Sequence, residues 1–238
     1  MRKKKILHLS YEEKEKKKQE KKKRKEQKKN MIQFFSEETG LLYQLYPTGT
    51  IPTLKISGVP MHRHVKITPD IDTGLKIDSA RPFGNVLDTC TGLGYTAIYS
   101  AKLEKVKKVT TIEKDENVIK IARMNEASKE LFNNSKIQII NTDLNEKIKE
   151  FKVETFDTII HDPPTFSMAV ELYQLAFYKE LLRVLKKGGR LWHYAPNPGK
   201  LKDKKPLHAK IERRLKEAGF KNVLYDEKSN GVIAIKPR

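Results

Sequence analysis

The chain has 238 residues, and no apolar run approaches the roughly 20 residues that cross a lipid bilayer, so the sequence predicts no membrane span. Its single cysteine, Cys90, excludes both a disulfide within one chain and a cysteine-rich zinc site. Its formal net charge of +19 favours a polyanionic partner, above all nucleic acid. Heat adaptation is the alternative, because thermophilic proteins are rich in Lys and Glu, but that trend raises both signs of charge together.

Residues 1–30 hold 15 Lys and Arg against five Glu, and residues 11–29 contain no aliphatic side chain. This composition predicts a solvated helix or a disordered tail that becomes ordered on RNA, with a solubilising extension as the alternative. The N-terminus is charged from residue 2 and lacks an apolar segment. We therefore expect no secretory signal and a cytosolic location.

Residues 31–82 are predicted to form a small β-containing region on the substrate side of the main domain. Residues 50–56 include the alternating pattern of a strand, and residues 57–60 carry the glycine and proline of a turn. A further extended segment is expected at residues 65–67, ended by a proline. We place the boundary with the next domain at residues 81–84.

From residue 83 to residue 238, predicted strands alternate with predicted helices, which indicates an α/β fold with a Rossmann-like, mostly parallel sheet. The clearest helices are expected at residues 170–185 and 207–218. Residues 229–231 have the composition of a hairpin turn, so the last strand is expected to be antiparallel. The predicted strands are Asn85–Asp88, Lys108–Glu113, Lys136–Asn141, Phe156–His161, Arg190–Tyr194, Asn222–Tyr225 and Val232–Ile235.

Ligands of such sheets bind at the carboxyl ends of the strands. The first strand ends at Asp88 and leads into a turn with Gly92 and Gly94, where the missing Cβ atoms let the backbone approach a ligand. The second strand ends at Glu113, 19 residues after Gly94, where a carboxylate can accept hydrogen bonds from both hydroxyls of a ribose. Asp143 follows the third strand and can accept from an adenine amino group.

The fourth strand leads into the segment His-Asp-Pro-Pro-Thr-Phe-Ser, residues 161–167. Its two prolines fix the backbone and remove two N–H donors, so Asp162 and the carbonyl of Pro163 are presented rigidly. Phe166 offers a flat ring for a stacked base. His161 ends a buried strand and is expected to be a hydrogen-bonded core residue.

These motifs resemble those of the class I S-adenosylmethionine-dependent methyltransferases, over residues 85–238 and including the antiparallel last strand. The first motif is Val-Leu-Asp-Thr-Cys-Thr-Gly-Leu-Gly, the acidic second strand is Thr-Thr-Ile-Glu, and the fourth motif is Asp-Pro-Pro-Thr-Phe. The chain is also similar to a group of predicted archaeal methyltransferases. The resemblance implies S-adenosylmethionine as cofactor. The residues it implies for cofactor binding are Asp88 near the methionine amino group, Gly92 and Gly94 against the cofactor, Glu113 on the ribose, and Asp143 with Leu144 on the adenine.

The Asp-Pro-Pro motif implies methylation of a planar nitrogen, with Asp162, Pro163 and Phe166 as catalytic residues and no metal. Position 165 is threonine, where members that methylate amino groups usually carry an aromatic residue. The segment also resembles the motif of a bacterial ribosomal RNA guanine-N7 methyltransferase domain, so the target atom stays open. Methylation of pyrimidine C5 is excluded, because it needs a cysteine nucleophile and Cys90 lies in the cofactor loop.

Basic side chains flank the predicted site on two sides. Arg63 and Lys66 lie in the N-terminal region, and Lys200 and Lys202 lie in the loop after the fifth strand. We expect them to contact the phosphates of a transfer or ribosomal RNA, with a solvated lysine loop as the alternative.

Other interpretations remain open at this point. The residues Gly92-x-Gly94 with Glu113 also fit the fingerprint of an NAD-dependent oxidoreductase, although the chain has no evident catalytic Lys/Tyr or Cys/His pair. A methyltransferase or related transferase could act on a protein, a small metabolite or a polyamine-type acceptor, and a non-catalytic RNA-binding protein could share the fold. His62-x-His64 has the spacing of a metal pair but lacks a third ligand. The preferred interpretation is a methyltransferase that modifies a purine base nitrogen in RNA. The sequence leaves the oligomeric state of the protein open.

Overall fold

The computed structural model describes residues 31–196 and 206–238, together with Glu15 and Lys18. Most of the predicted tail, and the loop lysines Lys200 and Lys202, lie outside the described residues. The described part of the chain contains a small N-terminal sheet and a larger α/β unit. Its helices are too short and too polar to cross a lipid bilayer.

The N-terminal sheet is antiparallel, with the strand order β1-β2-β3-β4. The predicted strand at residues 50–56 is confirmed in its second half, and residues 57 and 58 form the turn with positive φ angles of 46° and 86°. No strand forms at residues 65–67, where the expectation is wrong. The strands are β1 (Gln33–Ser36), β2 (Leu41–Tyr46), β3 (Thr53–Ile56) and β4 (Val59–Pro60).

Helix α1 (Pro69–Ala80) was not predicted, because Pro69 was interpreted as the end of an extended segment. Pro69 instead stands in the first turn, where its fixed φ suits a helix and its missing N–H leaves no hydrogen bond unmade. The buried face of α1 includes Asp72 and Lys76 beside Ile77, so it lacks the apolar pattern of an ordinary core helix. The helix packs against the larger sheet, although it precedes the predicted boundary at residues 81–84.

The larger sheet has the order β10-β11-β9-β8-β5-β6-β7. Strands β5 to β9 are parallel, while β11 pairs antiparallel with β9 and β10 antiparallel with β11, which confirms the predicted topology. The strands are β5 (Gly84–Asp88), β6 (Val106–Glu113), β7 (Ile137–Asn141), β8 (Phe156–His161), β9 (Leu185–Tyr194), β10 (Lys221–Asp226) and β11 (Gly231–Ile235).

The helices cover both faces of this sheet. The helix predicted at residues 170–185 is divided by the extended residue Gln174 into a 3₁₀ turn, Val170–Tyr173, and an α-helix, and β9 already begins at Leu185. The helix predicted at residues 207–218 is confirmed and ends at Gly219, whose φ of 111° suits glycine. The α-helices that follow α1 are α2 (Tyr95–Ala101), α3 (Glu116–Arg123), α4 (Lys129–Asn133), α5 (Leu144–Glu150), α6 (Leu175–Val184) and α7 (Leu207–Ala218), and a second 3₁₀ turn, Glu126–Ser128, precedes α4.

Hydrogen bonds join the N-terminal region to the larger unit, and two of them are donated by tyrosines. The hydroxyl of Tyr43 donates to the carboxylate of Asp115 over 2.5 Å, and the hydroxyl of Tyr95 donates to the carbonyl of Pro52 over 2.9 Å. Tyr43 is fully buried and belongs to the same apolar core as Val86 and Trp192 of the larger sheet. The N-terminal sheet is therefore fixed beside the carboxyl ends of the parallel strands.

Candidate active site

A cleft of about 1320 Å³ lies at the carboxyl ends of β5, β6, β7 and β8. One wall comes from residues 54–67 of the N-terminal region, and the other comes from the segments that follow the parallel strands. Among the predicted site residues, those lining the cleft are Arg63, Lys66, Gly92, Glu113, Asp143, Leu144, Asp162 and Pro163.

The two glycines of the turn after β5 have different surroundings. Gly92 has a φ of +53°, and a Cβ atom added there would meet no other atom within 4 Å, on the wall of the cleft. Gly94 has a φ of +77° and starts α2, and a Cβ atom there would lie 2.5 Å from the side chain of Leu131. Gly92 therefore leaves space in the cleft, whereas Gly94 allows the helix and Leu131 to pack closely.

Glu113 ends β6 and is held by backbone groups on both of its oxygen atoms. Oε2 accepts from the N–H of Gly92 over 3.0 Å, and Oε1 accepts from the N–H of Asp115 over 3.1 Å. Burial raises the pKa of Glu113 to about 7, while these backbone N–H groups oppose the shift. Glu113 lines the cleft, and each of its oxygens retains a lone pair for a further hydrogen bond, as the predicted contact with two ribose hydroxyls requires.

Asp88 lies beneath the cleft and is fully buried. Its two oxygens accept from the hydroxyls of Thr96 (2.8 Å) and Thr111 (2.6 Å), and Thr111 is also 2.7 Å from the hydroxyl of Thr91. Burial raises the pKa of Asp88 to about 7, and the two threonine hydroxyls oppose this. In this structure Asp88 supports the glycine turn from below, and the cleft is lined instead by Thr89 and the residues that follow it.

Asp143 and Leu144 stand where β7 passes into α5. The Asp143 side chain accepts from the backbone N–H of Asn145 over 2.8 Å, as an N-cap, and pairs with Lys114 at 2.6 Å. Hydrogen bonding from Lys114 lowers the pKa of Asp143. Leu144 is buried and lines the cleft, where it provides the apolar surface that a planar ring requires.

The Asp-Pro-Pro segment follows β8 and is fixed by Tyr173, whose hydroxyl donates to the carbonyl of Pro164 over 2.8 Å. Asp162 and Pro163 line the cleft. Phe166 packs edge-on against Tyr173, with ring centroids 5.3 Å apart, and the residue is 38% exposed. It is not among the residues that line the cleft. Pro164 and Thr165 of this segment also line the cleft, as does Met168, which follows it.

A buried lysine that sequence reasoning missed contacts Asp162. The Nζ atom of Lys76 lies 2.6 Å from Oδ2 of Asp162 and 3.3 Å from Oδ2 of Asp72. Burial alone would lower the pKa of Lys76, but the two carboxylates outweigh it and raise the pKa above its ordinary value. Burial likewise raises the pKa of Asp162, and the Lys76 ammonium opposes that shift. The only signal in the sequence is the spacing of Asp72 and Lys76, one helical turn apart.

The basic residues that are predicted to contact phosphates have different surroundings. Arg63 is engaged within the chain, because its Nε pairs with Asp72 and both terminal nitrogens donate to the carbonyl of Lys228 at 3.1 Å. Lys66 is exposed on the rim of the cleft. Lys200 and Lys202 lie outside the described residues and stay a prediction.

The histidines have partners within the fold. His62 is 3.0 Å from the hydroxyl of Thr53, and burial lowers its pKa to about 3. His161 bonds to the hydroxyl of Thr89 (2.8 Å) and the carbonyl of Leu172 (3.1 Å), and burial lowers its pKa to about 3, which confirms a core role. Within residues 31–196 and 206–238, no three His, Cys, Asp or Glu side chains are arranged to hold a metal ion.

The residues of the cleft fit S-adenosylmethionine. Gly92 leaves open space, Glu113 presents two fixed acceptor oxygens, and Leu144 with Ile112 provides an apolar surface near Asp143. An adenosine moiety requires these three features together. The side chain of Asp88 is engaged with threonines, so contacts to the methionine part would fall to the backbone around Thr89.

A model of the family described as "Methyltransferase small domain" matches residues 70–221. An uncharacterized protein of Methanocaldococcus jannaschii is 48% identical over 82% of this chain and 67% of its own length. A polyamine aminopropyltransferase of Prochlorococcus marinus (strain AS9601) is 31% identical over 56% of this chain and 47% of its own. The ribosomal RNA large subunit methyltransferase K/L of Psychrobacter cryohalolentis is 34% identical over 44% of this chain and 14% of its own.

Among solved structures, spermidine synthase from Thermotoga maritima is similar, with a TM-score of 0.64 and 18% identity over 86% of this chain and 72% of that chain. At this identity the likeness concerns the fold alone. This chain spans about two thirds of the Methanocaldococcus protein and less than half of the other two relatives.

Proposed function

The chain belongs to the methyltransferase small domain family of S-adenosylmethionine-dependent methyltransferases, and from that premise we propose that it methylates a purine base nitrogen in transfer or ribosomal RNA. The proposal rests on a pair of hydrogen-bond acceptors on the cleft wall. Asp162 and the carbonyl of Pro163 stand rigidly at the end of β8, and the carboxylate of Asp162 is paired with a buried lysine. Such a group accepts N–H donors from a neutral, planar partner.

The side chains of the cleft bind and orient the two reactants. S-adenosylmethionine supplies a methyl group that is already activated on a sulfonium, so displacement needs positioning more than acid–base catalysis. Glu113 would hold the ribose through its two oxygens. Asp162 and Pro163 accept hydrogen bonds from the acceptor's N–H groups, which direct the lone pair of the target nitrogen at the methyl carbon. The C–N bond would form as the methyl carbon–sulfur bond breaks, with S-adenosylhomocysteine as the leaving group. An amino nitrogen would then lose a proton to solvent, whereas a ring nitrogen without a proton would keep the positive charge.

The charges around Asp162 favour a neutral acceptor over a cationic amine. Asp162 and Asp72 are compensated by Lys76 and Arg63, all within direct ion-pair contact. A protonated polyamine bound beside Asp162 would need an uncompensated carboxylate there, whereas Asp162 and Asp72 already have cationic partners. A nucleobase is neutral, and its amino group can donate to the ionised Asp162.

The charge of the chain supports RNA as the carrier of that base. The net charge is +19, and residues 1–30 alone hold 15 Lys and Arg. Lys66 stands on the rim of the cleft, where it can contact a phosphate. Similarity to a ribosomal RNA methyltransferase of Psychrobacter supports the same substrate class. A cytosolic location stays part of the proposal.

A second candidate is transfer to a small amine. It is favoured by the 31% identity to a polyamine aminopropyltransferase and by the fold shared with spermidine synthase over 86% of this chain. The methyltransferase family match leaves the NAD-dependent oxidoreductase without support.

Incubation with S-adenosylmethionine labelled in its methyl group, followed by separation of RNA, protein and small molecules, tests the proposal. The expected result is label in RNA, and nucleoside analysis then identifies the purine and the atom. The variant Asp162→Ala is the control and should leave the RNA unlabelled. Label confined to small amines would favour the second candidate, and label confined to protein would overturn both.

A further inference from the structure

Lys76 occupies a pocket with the chemistry of an alkylammonium site. Its side chain is 2% exposed, and its Nζ atom contacts the carboxylates of Asp162 and Asp72. The same atom lies 5.2 Å from the ring centroid of Tyr194 and 5.8 Å from that of Trp192. Carboxylates combined with aromatic faces are what proteins use to bind organic ammonium groups. Here the protein's own lysine is the occupant.

We propose that Lys76 is a positioning and specificity residue: its ammonium fills the acidic, aromatic pocket beside the acceptor site, orients Asp162, and excludes cationic amines as acceptors. The inference rests on the proposed function, because it explains how a cleft with the fold of a spermidine synthase accepts a neutral base. Lys76 does not line the cleft and acts through Asp162, which does.

The charge balance of the pocket explains why removal of Lys76 should have a specific effect. Asp72 is fully buried and has two cationic partners, Arg63 and Lys76. Asp162 is the more accessible carboxylate, with 19% of its side chain exposed, and its direct cationic partner is Lys76. Without Lys76, Asp162 loses that partner, while Asp72 keeps Arg63. Removal of Lys76 should therefore mainly affect Asp162, the carboxylate that faces the methyl acceptor.

The pocket is also continuous with the cleft. Asp162 and Tyr194 belong to both, so an amine that entered the cleft could reach the space of a shortened Lys76 side chain. The titratable and charged groups that face Asp162 are Asp72 and Lys76 on α1, Arg63 in the preceding loop, Asp88 at the end of β5, Cys90 after it, Tyr173 in the 3₁₀ turn, and Tyr194 on β9.

The variant Lys76→Ala tests the proposal through chemical rescue. We expect it to lower the methyl-transfer rate about 100-fold while the affinity for S-adenosylhomocysteine changes less than about threefold. Added n-propylammonium, which replaces the deleted atoms, should raise the methyl-transfer rate of the variant at least about tenfold, whereas 1-propanol of similar size should not. Lys76→Met fills the same space without charge and should show no rescue. Equal rescue by the alcohol, or none by the amine, would overturn the proposal.

Binding of 1,4-diaminobutane tests the specificity part directly. Titration calorimetry should detect its binding to Lys76→Ala and not to the wild-type protein or to Lys76→Met. The control variant is Lys136→Met, which removes a partly buried lysine that donates to the carbonyl of Ala101, away from the cleft. It should behave as the wild type. Equal binding to the wild-type protein would contradict exclusion by Lys76.

A readout that needs no acceptor separates this inference from the proposed function. The pKa of the Asp162 carboxyl, followed by carbon NMR and assigned with Asp162→Asn, should rise in Lys76→Met because the neighbouring positive charge is lost. An unchanged pKa would overturn the positioning role even if the wild type methylates RNA. A raised pKa and diamine binding in the absence of RNA methylation would instead sink the proposed substrate and retain the role of Lys76.

Discussion

The backbone N–H of Gly92 lies 3.0 Å from Oε2 of Glu113 and donates a hydrogen bond to it. This contact joins the turn after β5 to the end of the neighbouring strand β6. Because Oε1 of Glu113 accepts from the N–H of Asp115, both carboxylate oxygens are fixed without any ligand. A ribose that binds here therefore meets acceptors whose positions are set in advance, which lowers the entropy lost on binding.

Glu113→Gln should weaken the binding of S-adenosylhomocysteine. The amide keeps the size of the side chain, but its NH₂ group must face a backbone N–H or replace an acceptor for the ribose. Since hydrogen bonds to charged groups contribute about 1.5–3 kcal/mol, we expect an affinity loss of about 10- to 100-fold in titration calorimetry. The control is Glu146→Gln, an exposed residue paired with Lys149 on α5. An unchanged affinity in Glu113→Gln would contradict the assigned role.

Alanine at the two glycines of the turn should separate stability from binding. Gly94→Ala brings a Cβ atom to within 2.5 Å of Leu131 at a positive φ, so we expect a loss of about 1–3 kcal/mol in the free energy of unfolding. Gly92→Ala meets open space, so its loss should be limited to about 1 kcal/mol of backbone strain. Its Cβ atom would instead occupy the cleft and reduce cofactor affinity. Urea denaturation and calorimetry on both variants measure the contrast, and a similar profile for the two would contradict it.

The sequence predicted four of the parallel strands because each is a largely apolar run that ends at, or shortly before, an acidic residue: Asp88, Glu113, Asp143 or Asp162. Phe156–His161 has the predicted bounds, and Glu113 was located by its distance from the glycine turn. The antiparallel end of the sheet followed from the turn composition of residues 229–231. In each case the signal is local in the sequence.

The wall formed by α1 could not be predicted in the same way. Its buried face carries Asp72 and Lys76, whose charges are compensated by Arg63 and Asp162. Lys76 and Asp162 are 86 residues apart, so no local pattern marks their contact. A helix with charged residues on its inner face therefore resembles a surface segment until its partners are known.

Asp162→Asn should abolish methyl transfer and leave cofactor binding intact. The amide keeps the shape of the side chain but removes the negative charge that orders the acceptor's N–H groups, and Lys76 keeps Asp72 as a partner. We expect a rate loss of at least about 100-fold with less than about threefold change in affinity for S-adenosylhomocysteine. Asp78→Asn, on the exposed side of α1, is the matched control. Retention of full activity in Asp162→Asn would remove Asp162 from the site.

Protonation of Glu113 should affect stability and binding in opposite directions. Its pKa rises from 4.5 to about 7 on folding, so between these values the folded protein holds a proton that the unfolded chain has lost. The contribution of Glu113 to the free energy of unfolding therefore falls as the pH rises through this range, by at most about 3 kcal/mol. Cofactor affinity should rise over the same range, because the ionised carboxylate is the ribose acceptor.

Urea denaturation and calorimetry at pH 5 and pH 7.5 measure both effects in the wild type and in Glu113→Gln. The free energy of unfolding of the wild type minus that of the variant should be larger at pH 5 than at pH 7.5. Asp88 has a raised pKa in both proteins and cancels from this difference. The same pH dependence in both proteins would show that Glu113 does not titrate in this range.

Removal of residues 1–30 should weaken RNA binding and flatten its dependence on salt. The segment holds 15 Lys and Arg, and each phosphate contact it makes releases a counterion, so the logarithm of the affinity falls more steeply with salt when the segment is present. Binding of a transfer RNA at 50 to 200 mM salt measures the slope for the full and the shortened chain. Lys66→Ala should reduce the steepness of this salt dependence by less than the slope of about one that a single phosphate contact contributes. An unchanged slope after truncation would assign the tail a solubilising role and move the RNA contacts to the rim of the cleft.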